Sequence, residues 1–222
     1  AAGFIGFHFV QFLLSKNKKV IGVDNINNYY DTKIKKGRLK LLKNKNFIFK
    51  KINIQNKNRL ETVFKSFKPN YVINLAAQAG VRYSITNPQV YIDNNIIGFQ
   101  NILDLSKKYK VKLLLFASSS SVYGKNKDNS LSEKSDTSHP ISIYGVTKKT
   151  NEMMAYTYSH LYNLPTIGFR LFTVFGPWGR PDMALFKFTK NIIDGKKIEV
   201  FNHGKHIRDF TYVDDIVAAG EY

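Results

Sequence analysis

The sequence predicts an α/β protein with a doubly wound parallel sheet, and three observations support this fold class. Short apolar runs of strand length alternate with longer helical stretches along the chain. Two glycines, three residues apart, open the first helical stretch. An aspartate and a run of serines stand at the ends of two candidate strands, where such sheets bind their ligands.

The strands and helices are predicted from the length and composition of the apolar segments. Runs rich in Val, Ile, Leu and Phe indicate buried strands, and the longer stretches between most of them indicate helices. The polar stretch from Lys125 to Ser138 is predicted to be a loop. We predict strands at 20–23, 47–52, 71–75, 113–117, 166–171 and 198–201, and helices at 4–14, 61–67, 94–109 and 148–162.

The opening turn has the character of a phosphate-binding turn. Gly3 and Gly6 lie at the start of the helix predicted for residues 4–14. Glycine lets the backbone come close to a phosphate, and the N-terminus of the helix favours an anion. The alternative is an ordinary helix start that contains glycine.

Asp24 follows the strand predicted at 20–23 and extends this interpretation. Its distance along the chain from Gly6 is close to the interval of about twenty residues at which a carboxylate meets the ribose 2′-hydroxyl of NAD. The same carboxylate would repel the 2′-phosphate of NADP. We therefore predict NAD as the cofactor, with a strand-end aspartate that caps local backbone as the alternative.

A tyrosine and a lysine separated by one helical turn suggest chemistry on an alcohol. Tyr144 and Lys148 are four residues apart and so share a helix face, and Ser119 lies twenty-five residues before Tyr144. A phenol ionises near pH 10, but a neighbouring cation favours the phenolate. A nearby hydroxyl can share the proton in transit. We predict Tyr144 as the base, Lys148 as the cation and Ser119 as the relay. The alternative for the serine run is a strand end that satisfies backbone groups.

The composition excludes several other classes. The chain has 222 residues, enough for one large domain, and no cysteine, which excludes disulfides and thiolate chemistry. No apolar run reaches membrane-spanning length. The net charge of +18 suggests nucleic-acid binding, but the cations are spread along the chain and accompany many Asn and Ile residues. We predict a cytoplasmic enzyme with no metal site and no nucleic-acid partner, whose positive field aids the capture of an anionic ligand.

With these motifs the chain resembles the extended short-chain dehydrogenase/reductases that modify nucleotide sugars, and within them the UDP-glucuronate 4-epimerases. The resemblance covers essentially the whole chain. Its densest segments are 24–30 (DNINNYY), 75–84 (LAAQAGVRYS), 117–124 (ASSSSVYG), 172–184 (FTVFGPWGRPDMA) and 208–215 (RDFTYVDD).

The resemblance implies a Rossmann-type fold in a chain that is a fragment. The family has three glycines in its opening motif, and the first would stand just before Ala1. We expect a first strand and a C-terminal region to be missing. The implied organisation is an NAD-binding domain at 1–171 and the start of a nucleotide-sugar-binding region at 172–222. The resemblance also implies a homodimer formed through two long helices, including residues 94–109 and 148–162.

The implied activity is the conversion of UDP-glucuronate to UDP-galacturonate through a 4-keto intermediate, for surface polysaccharide. Related dehydratases and decarboxylases carry an acidic residue where this chain has Ser120 and Ser121, so those reactions are disfavoured. The C6 carboxylate of the intermediate must be kept from leaving as carbon dioxide. Donors around Ser84, Thr173 and Ser120 are predicted to hold it, and UDP-glucose 4-epimerases usually carry Asn near Thr173.

The residues that would bind the nucleotide part of the UDP-sugar are predicted from weaker matches to the family. Arg208 is predicted to clamp the diphosphate, with an ion pair to Asp209 or Asp214 as the alternative. Phe201 either stacks on uracil or belongs to the core, and Arg180 contacts the nucleotide or a partner loop. The family commonly has Asp where this chain has Asn53, whose carbonyl would bind the adenine amino group.

The predicted site residues fall into two further sets. The cofactor set is Gly3, Phe4, Ile5, Gly6, Asp24, Asn25, Asn53, Ile54, Leu75, Ala76, Ala77, Gln78, Asn95, Tyr144 and Lys148. The substrate set is Arg82, Ser84, Ser120, Ser121, Thr173, Arg180, Met183, Phe201 and Arg208. Two alternative functions stay open: an epimerase for an uncharged UDP-hexose, and a non-catalytic protein that binds NAD or a polyanion.

Overall fold

A computed structural model describes residues 1–126, 130–200, 202–205 and 207–220, and its strands and helices alternate along the chain. The strands are β1 (Val20–Asp24), β2 (Phe47–Lys51), β3 (Tyr71–Asn74), β4 (Leu113–Ala117), β5 (Thr166–Phe169), β6 (Thr173–Phe175) and β7 (Phe210–Tyr212). The α-helices are α1 (Phe4–Ser15), α2 (Thr32–Leu41), α3 (Lys57–Phe67), α4 (Val81–Thr86), α5 (Pro88–Tyr91), α6 (Gly98–Lys108), α7 (Ile143–Tyr162), α8 (Ala184–Ile193) and α9 (Val213–Ala219).

The strands pair in parallel at β3–β4, β4–β5 and β6–β7. β1 pairs with β2, β3 and β5 flank β4, and β6 pairs with β7. The β4 register sets Leu113 opposite Tyr71 and Ala117 opposite Phe169, with both neighbours parallel. Helices α6 and α7 make the crossovers into and out of β4, as parallel neighbours require. The predicted α/β fold with parallel sheets is therefore confirmed.

The chain divides into two compact units. The first comprises Ala1–Gly22, Ile26–Phe49 and Phe172–Tyr222, and the second comprises Val23–Asn25 and Lys50–Leu171. The predicted first domain, residues 1–171, is divided between these units, because Ala1–Gly22 and Ile26–Phe49 group with Phe172–Tyr222. The assignment of the domains to cofactor and sugar nucleotide stays a prediction.

Each unit has its own apolar packing. In the first unit, Phe7, Val10 and Leu14 of α1 are buried together with Leu42. In the second, the apolar run of β4 lies under α6, and the rings of Phe99 and Phe116 are 5.2 Å apart. This packing explains why β4 was predictable: a strand buried on both faces is a continuous apolar run.

Some predicted elements are corrected by the structure. Residues 198–200 form no strand, and Phe201 lies outside the described residues. Strands β6 and β7 were missed because each has three residues. Helix α2 was missed because its sequence, TKIKKGRLKL, has few apolar positions; Asp31 caps it by accepting a hydrogen bond from the Lys33 backbone N–H at 2.8 Å.

The helix predicted at 94–109 is two structures in succession. Its first part belongs to a π-helical turn, Ile92–Ile97, and α6 follows directly. Such turns are rare and occur frequently at functional sites. Across the described residues, no helix is both long enough and apolar enough to cross a membrane.

Candidate active site

The end of β4 carries Ser119 on extended backbone. Ser119 has φ −159° and ψ 148° and is buried, and its Oγ accepts a hydrogen bond from the Ser121 backbone N–H at 3.1 Å. This contact starts a 3₁₀ turn at Ser120–Tyr123. The backbone N–H of Ser120 donates to the Leu171 carbonyl at 2.9 Å, which ties the turn to the segment after β5.

Tyr144 lies in the first turn of α7, which begins at Ile143, before the start of the helix predicted at 148–162. The Ser142 side chain caps this helix, accepting a hydrogen bond from the Gly145 N–H at 3.0 Å. The Tyr144 ring is half-buried and meets the Tyr91 ring edge-on, with centroids 6.0 Å apart. The phenol is therefore held at the start of the helix by an aromatic neighbour.

Lys148 is a buried cation one helical turn after Tyr144. Its Nζ donates to the Ala117 carbonyl at the end of β4, at 2.8 Å. Burial lowers the pKa of this ammonium from 10.5 to about 8. No carboxylate in the described part of the chain forms an ion pair with it, so its charge stays available to a bound group.

Gly145 sets how closely α7 approaches the Ser120–Tyr123 turn. A Cβ on Gly145 would lie 2.6 Å from the Ser121 carbonyl oxygen and 3.2 Å from the Ser142 Oγ. Only a residue without a Cβ therefore fits at position 145 while α7 lies this close to the Ser120–Tyr123 turn. Together with the Lys148 bond to Ala117, Gly145 brings the helix that carries Tyr144 against the strand end that carries Ser119.

The π-helical turn at Ile92–Ile97 is hydrogen-bonded to α7 through Asn95. The Asn95 side chain accepts from the Gln78 N–H at 2.8 Å and donates to the Gln78 carbonyl and to the Thr147 hydroxyl, both at 3.0 Å. Asn151 donates back to the Asn95 carbonyl at 2.6 Å. Asn95 was predicted to contact the cofactor, but both of its amide N–H groups are bonded within the protein. It links the segment after β3 to α7.

A carboxylate that the sequence interpretation missed joins the same elements. Glu152, two turns after Tyr144, accepts from the Ser118 hydroxyl at 2.5 Å and from Arg170 Nε and Nη2, both at 3.0 Å. Although burial acts in the opposite direction, the hydrogen bonds from Arg170 and Ser118 hold the pKa of Glu152 below its ordinary value. Arg170 is eighteen residues from Glu152, so local spacing gave no signal.

The contacts of Ser118 narrow the choice among the four serines. The Ser118 hydroxyl is buried and donates its proton to Glu152, which leaves Ser119, Ser120 and Ser121 as candidates for the relay. The assignment of the relay to Ser119 stays a prediction.

The predicted phosphate turn begins α1 in the first unit. Gly3 is its N-cap on extended backbone, and Phe4, Ile5 and Gly6 form the first turn. No described side chain caps this helix, and no acidic residue lies in its first turn. The leading N–H groups of a helix lack partners within it and favour an anion. The leading backbone N–H groups of α1 therefore suit the binding of a pyrophosphate.

In the second unit, the other predicted cofactor residues follow strand ends. Asp24 and Asn25 end or follow β1, and Asn53 and Ile54 follow β2. Asn53 Oδ1 accepts from the Gln55 N–H at 3.1 Å, so the carbonyl predicted to bind adenine is engaged locally. Leu75, Ala76, Ala77 and Gln78 follow β3.

The predicted substrate residues are distributed over both units. In the second, Arg82 and Ser84 lie on α4, where Arg82 is exposed and the buried Ser84 hydroxyl donates to the Val81 carbonyl at 2.6 Å. Ser120 and Ser121 lie in the 3₁₀ turn described above.

The first unit carries the remaining substrate residues. Thr173 begins β6, and Met183 is the N-cap of α8. Arg180 forms an ion pair with Asp182. Arg208 is exposed just before β7, and neither Asp209 nor Asp214 pairs with it in the described structure. Phe201 lies outside the described residues.

The second unit therefore gathers a phenol, a buried ammonium and a set of serine hydroxyls on contacting elements. Such a set can move a proton to or from an alcohol. The described residues contain no group of three or more His, Cys, Asp or Glu arranged to hold a metal ion.

Several known proteins are similar to this chain. A model of the NAD dependent epimerase/dehydratase family matches residues 1–220. Protein CapI of Staphylococcus aureus is 57% identical over 218 residues, covering 98% of this chain and 65% of that protein. A UDP-glucuronate 4-epimerase of Thermodesulfobacterium geofontis is 49% identical over 217 residues, covering 97% of this chain and 67% of that enzyme.

A solved structure extends the similarity to three dimensions. The crystal structure of UDP-glucuronic acid 4-epimerase from Bacillus cereus, in complex with UDP-glucuronic acid and NAD, matches with a TM-score of 0.93 at 36% identity. The match covers 100% of this chain and 70% of that one, so this chain spans about two thirds of the length of such relatives. The chain belongs to the NAD dependent epimerase/dehydratase family.

Proposed function

We propose that this protein converts UDP-glucuronate to UDP-galacturonate by 4-epimerisation, with NAD as a retained cofactor. The observation that carries the proposal is the buried Lys148, one turn after Tyr144 and bonded to the strand end that leads to Ser119. The relatives that are UDP-glucuronate 4-epimerases support the choice of substrate.

The residues present fit NAD. In the first unit, the uncapped start of α1 at Gly3–Gly6 would take the pyrophosphate. In the second, Asp24 would bind the adenine ribose and Lys148 the nicotinamide ribose. When bound, NAD would accept a hydride from C4 of the sugar and later return it to the opposite face.

The chain's own residues would handle the proton. Tyr144 as phenolate would take the proton of the sugar 4-hydroxyl, and Ser119 would hydrogen-bond the same oxygen. Lys148 favours the phenolate because a cation held in a buried place acts with little screening. After the ketone has turned its other face, Tyr144 would return the proton.

Epimerisation is favoured over elimination or decarboxylation by the groups at the β4 end. Ser120 and Ser121 occupy the positions at which an acidic residue would serve as a base. The acidic residue that does reach this strand end, Glu152, is bound by Arg170 and Ser118. It is therefore unavailable for taking the proton at C5.

Hydroxyl and backbone donors around Ser84, Thr173 and Ser120 are proposed to hold the C6 carboxylate. Because the Ser84 hydroxyl already donates to the Val81 carbonyl, the donors at that position would be backbone N–H groups. Loss of carbon dioxide would leave the electron pair of the broken C–C bond on the C4 enolate, so donors that hold the carboxylate out of line with the carbonyl π system disfavour it. Such donors need no cation beside them. Arg180, Met183, Arg208 and Phe201 are proposed for the nucleotide and the adjacent loop. A role for the product in surface polysaccharide belongs to the same proposal.

The deciding experiment uses the full-length protein without added NAD. UDP-glucuronate is supplied, and the products are separated by chromatography. We expect an equilibrium mixture with UDP-galacturonate, no carbon dioxide, and no turnover in Tyr144→Phe. A pentose product would overturn the interpretation of Ser120 and Ser121, and turnover of UDP-glucose in place of UDP-glucuronate would move the assignment to an uncharged UDP-hexose.

A further inference from the structure

Helix α2 buries an arginine whose donors are all taken by neutral oxygens. Arg38 is fully buried. Its Nε and Nη2 donate to the Trp178 carbonyl at 3.1 and 2.6 Å, and Nη2 also donates to Gly179 O at 3.2 Å. Its Nη1 donates to Ala2 O at 3.0 Å and to the Tyr30 hydroxyl at 2.7 Å. Among the described residues no carboxylate pairs with it.

A buried guanidinium without an anion is costly unless its donors are satisfied. Here the five N–H groups of Arg38 meet five contacts, which matches the donor fork of arginine. Three of these contacts go to two successive carbonyls, those of Trp178 and Gly179. The Arg38 side chain thus holds the backbone of Trp178 and Gly179 in place by hydrogen bonds.

That piece of backbone is held in an unusual conformation. Trp178 has φ 59°, the left-handed region that bulky side chains rarely adopt. Such a residue persists when its surroundings fix it. The indole ring packs against α2, where a Cβ on Gly37 would lie 3.0 Å from it, and its centroid is 6.1 Å from that of Phe7.

The segment so fixed leads directly into the loop proposed to meet the sugar nucleotide. Arg180 follows Trp178 by two residues and pairs with Asp182, which also accepts from the Tyr29 hydroxyl at 3.3 Å. On its other side, Arg38 holds the carbonyl of Ala2, the residue before Gly3. One side chain therefore contacts the residue that precedes the turn proposed for the pyrophosphate and the two residues that precede Arg180 in the loop proposed for the sugar nucleotide.

We propose that Arg38 is a positioning residue that sets the conformation of residues 178–183 and so determines affinity for the sugar nucleotide. This rests on the proposed function, because that loop is assigned to the substrate there. The role depends on the five-donor fork and not on charge alone. Lysine at this position keeps the charge but has three donors on one nitrogen, fewer than the four acceptors that Arg38 contacts, which are the carbonyls of Trp178, Gly179 and Ala2 and the Tyr30 hydroxyl.

The test compares three variants of the full-length protein. Arg38→Lys keeps the charge and removes the fork. Gly37→Ala leaves Arg38 intact and presses a methyl group on the Trp178 ring. Lys40→Met is the matched control, since it removes one charge from an exposed position of the same helix. If Arg38→Lys does not fold, the KM and the Trp178 signal of Gly37→Ala test the proposal on their own.

Two measurements are made on each variant. The first is steady-state kinetics with UDP-glucuronate: we expect KM to rise by about 10-fold or more while kcat changes by less than about 3-fold in both Arg38→Lys and Gly37→Ala. The second is fluorine NMR of protein made with fluorotryptophan, in which Trp178→Phe identifies the Trp178 signal. We expect that signal to shift in both test variants and to stay in place in Lys40→Met.

The two measurements separate failure of this inference from failure of the proposed function. An unchanged Trp178 signal and unchanged KM in Arg38→Lys and Gly37→Ala would overturn the role of Arg38. A wild-type protein without turnover would overturn the proposed function, and the Trp178 signal would still show whether Arg38 fixes the loop. A shifted Trp178 signal with an unchanged KM would show that Arg38 fixes the conformation of the loop but does not determine affinity for the sugar nucleotide, which would overturn the proposal.

Discussion

Two charged residues of α7, Lys148 and Glu152, differ in role because their hydrogen-bond partners differ. Lys148 is buried, and its position between α7 and the end of β4 gives it a carbonyl partner but no carboxylate among the residues that the structure describes. Such a position is unfavourable for folding and useful for binding. Glu152, one turn further on, is instead fully paired and serves to join α7 to the neighbouring strand ends.

Replacing Lys148 should therefore stabilise the cofactor-free protein while abolishing turnover. Burial lowers the lysine pKa from 10.5 to about 8. Lys148→Met should raise the free energy of unfolding at pH 7 by roughly 1–3 kcal/mol, the lost hydrogen bond to Ala117 offsetting part of the gain. Urea titrations of both proteins provide the measurement.

The pH dependence of that difference has a definite sign. Between pH 8 and 10.5 the unfolded lysine holds its proton while the folded one has lost it, so the wild type gains stability with rising pH. The advantage of Lys148→Met should shrink across this range. A difference that does not change with pH would show that the ammonium is not desolvated.

Glu152→Gln should destabilise the fold by about 1–3 kcal/mol at neutral pH, because Arg170 loses its anion. The folded pKa of Glu152 is lowered, so the stabilisation is present above the ordinary value of 4.5 and is lost as pH falls below it. Denaturant titrations at pH 7 and pH 4 measure both effects. Glu133→Gln, at an exposed position, is the control and should stay within about 0.5 kcal/mol of the wild type.

At the scale of elements, the site depends on how closely α7 meets the turn after β4. Gly145 permits this approach because any larger side chain would collide with the Ser121 carbonyl. The π-helical turn at Ile92–Ile97 supports the same helix through Asn95 and Asn151. Both contacts place the start of α7, where Tyr144 lies.

Gly145→Ala should therefore lower turnover although alanine is the better helix former. The added Cβ would lie 2.6 Å from a backbone oxygen, so α7 or the turn must shift. We expect kcat to fall by about 10-fold or more, since displacements of about 1 Å can cost 100-fold. Product chromatography measures the effect, and Val146→Ala, at the exposed next position, should keep wild-type turnover.

The sequence predicted the parts of this arrangement that rely on local pattern. β3, β4 and α7 are marked by apolar runs or by the spacing of Tyr144 and Lys148. The contacts of Arg38 with Trp178 and of Glu152 with Arg170 join residues 140 and 18 positions apart. Periodicity contains no information on such pairs, and the Lys-rich sequence of α2 hides a helix whose buried face is polar.

At the scale of the whole molecule, the exposed apolar side of α7 bears on how copies of the protein associate. Helix α7 exposes apolar side chains along one side, including Met153, Tyr156 and Leu161. Homodimerisation through α6 and α7 stays a prediction, and these side chains are the surface that it would cover.

If that surface forms the dimer, a charge within it should separate the subunits. Tyr156 is 74% exposed, so Tyr156→Glu should leave the fold of a subunit intact. Light scattering of the full-length protein should then report half the wild-type mass. An unchanged mass would exclude α7 as the interface, and Lys125→Glu is a control with a larger change of charge elsewhere on the surface.

The position of β4 between two parallel partners has a consequence for synthesis on the ribosome. Its register needs β3, about forty residues earlier, and β5, about fifty residues later. A nascent chain that has emerged as far as Tyr144 and Lys148 still lacks the strand that completes one edge of β4. The sheet that supports both side chains can close only after residue 169 has left the exit tunnel, and until then the edge of β4 is exposed to other chains.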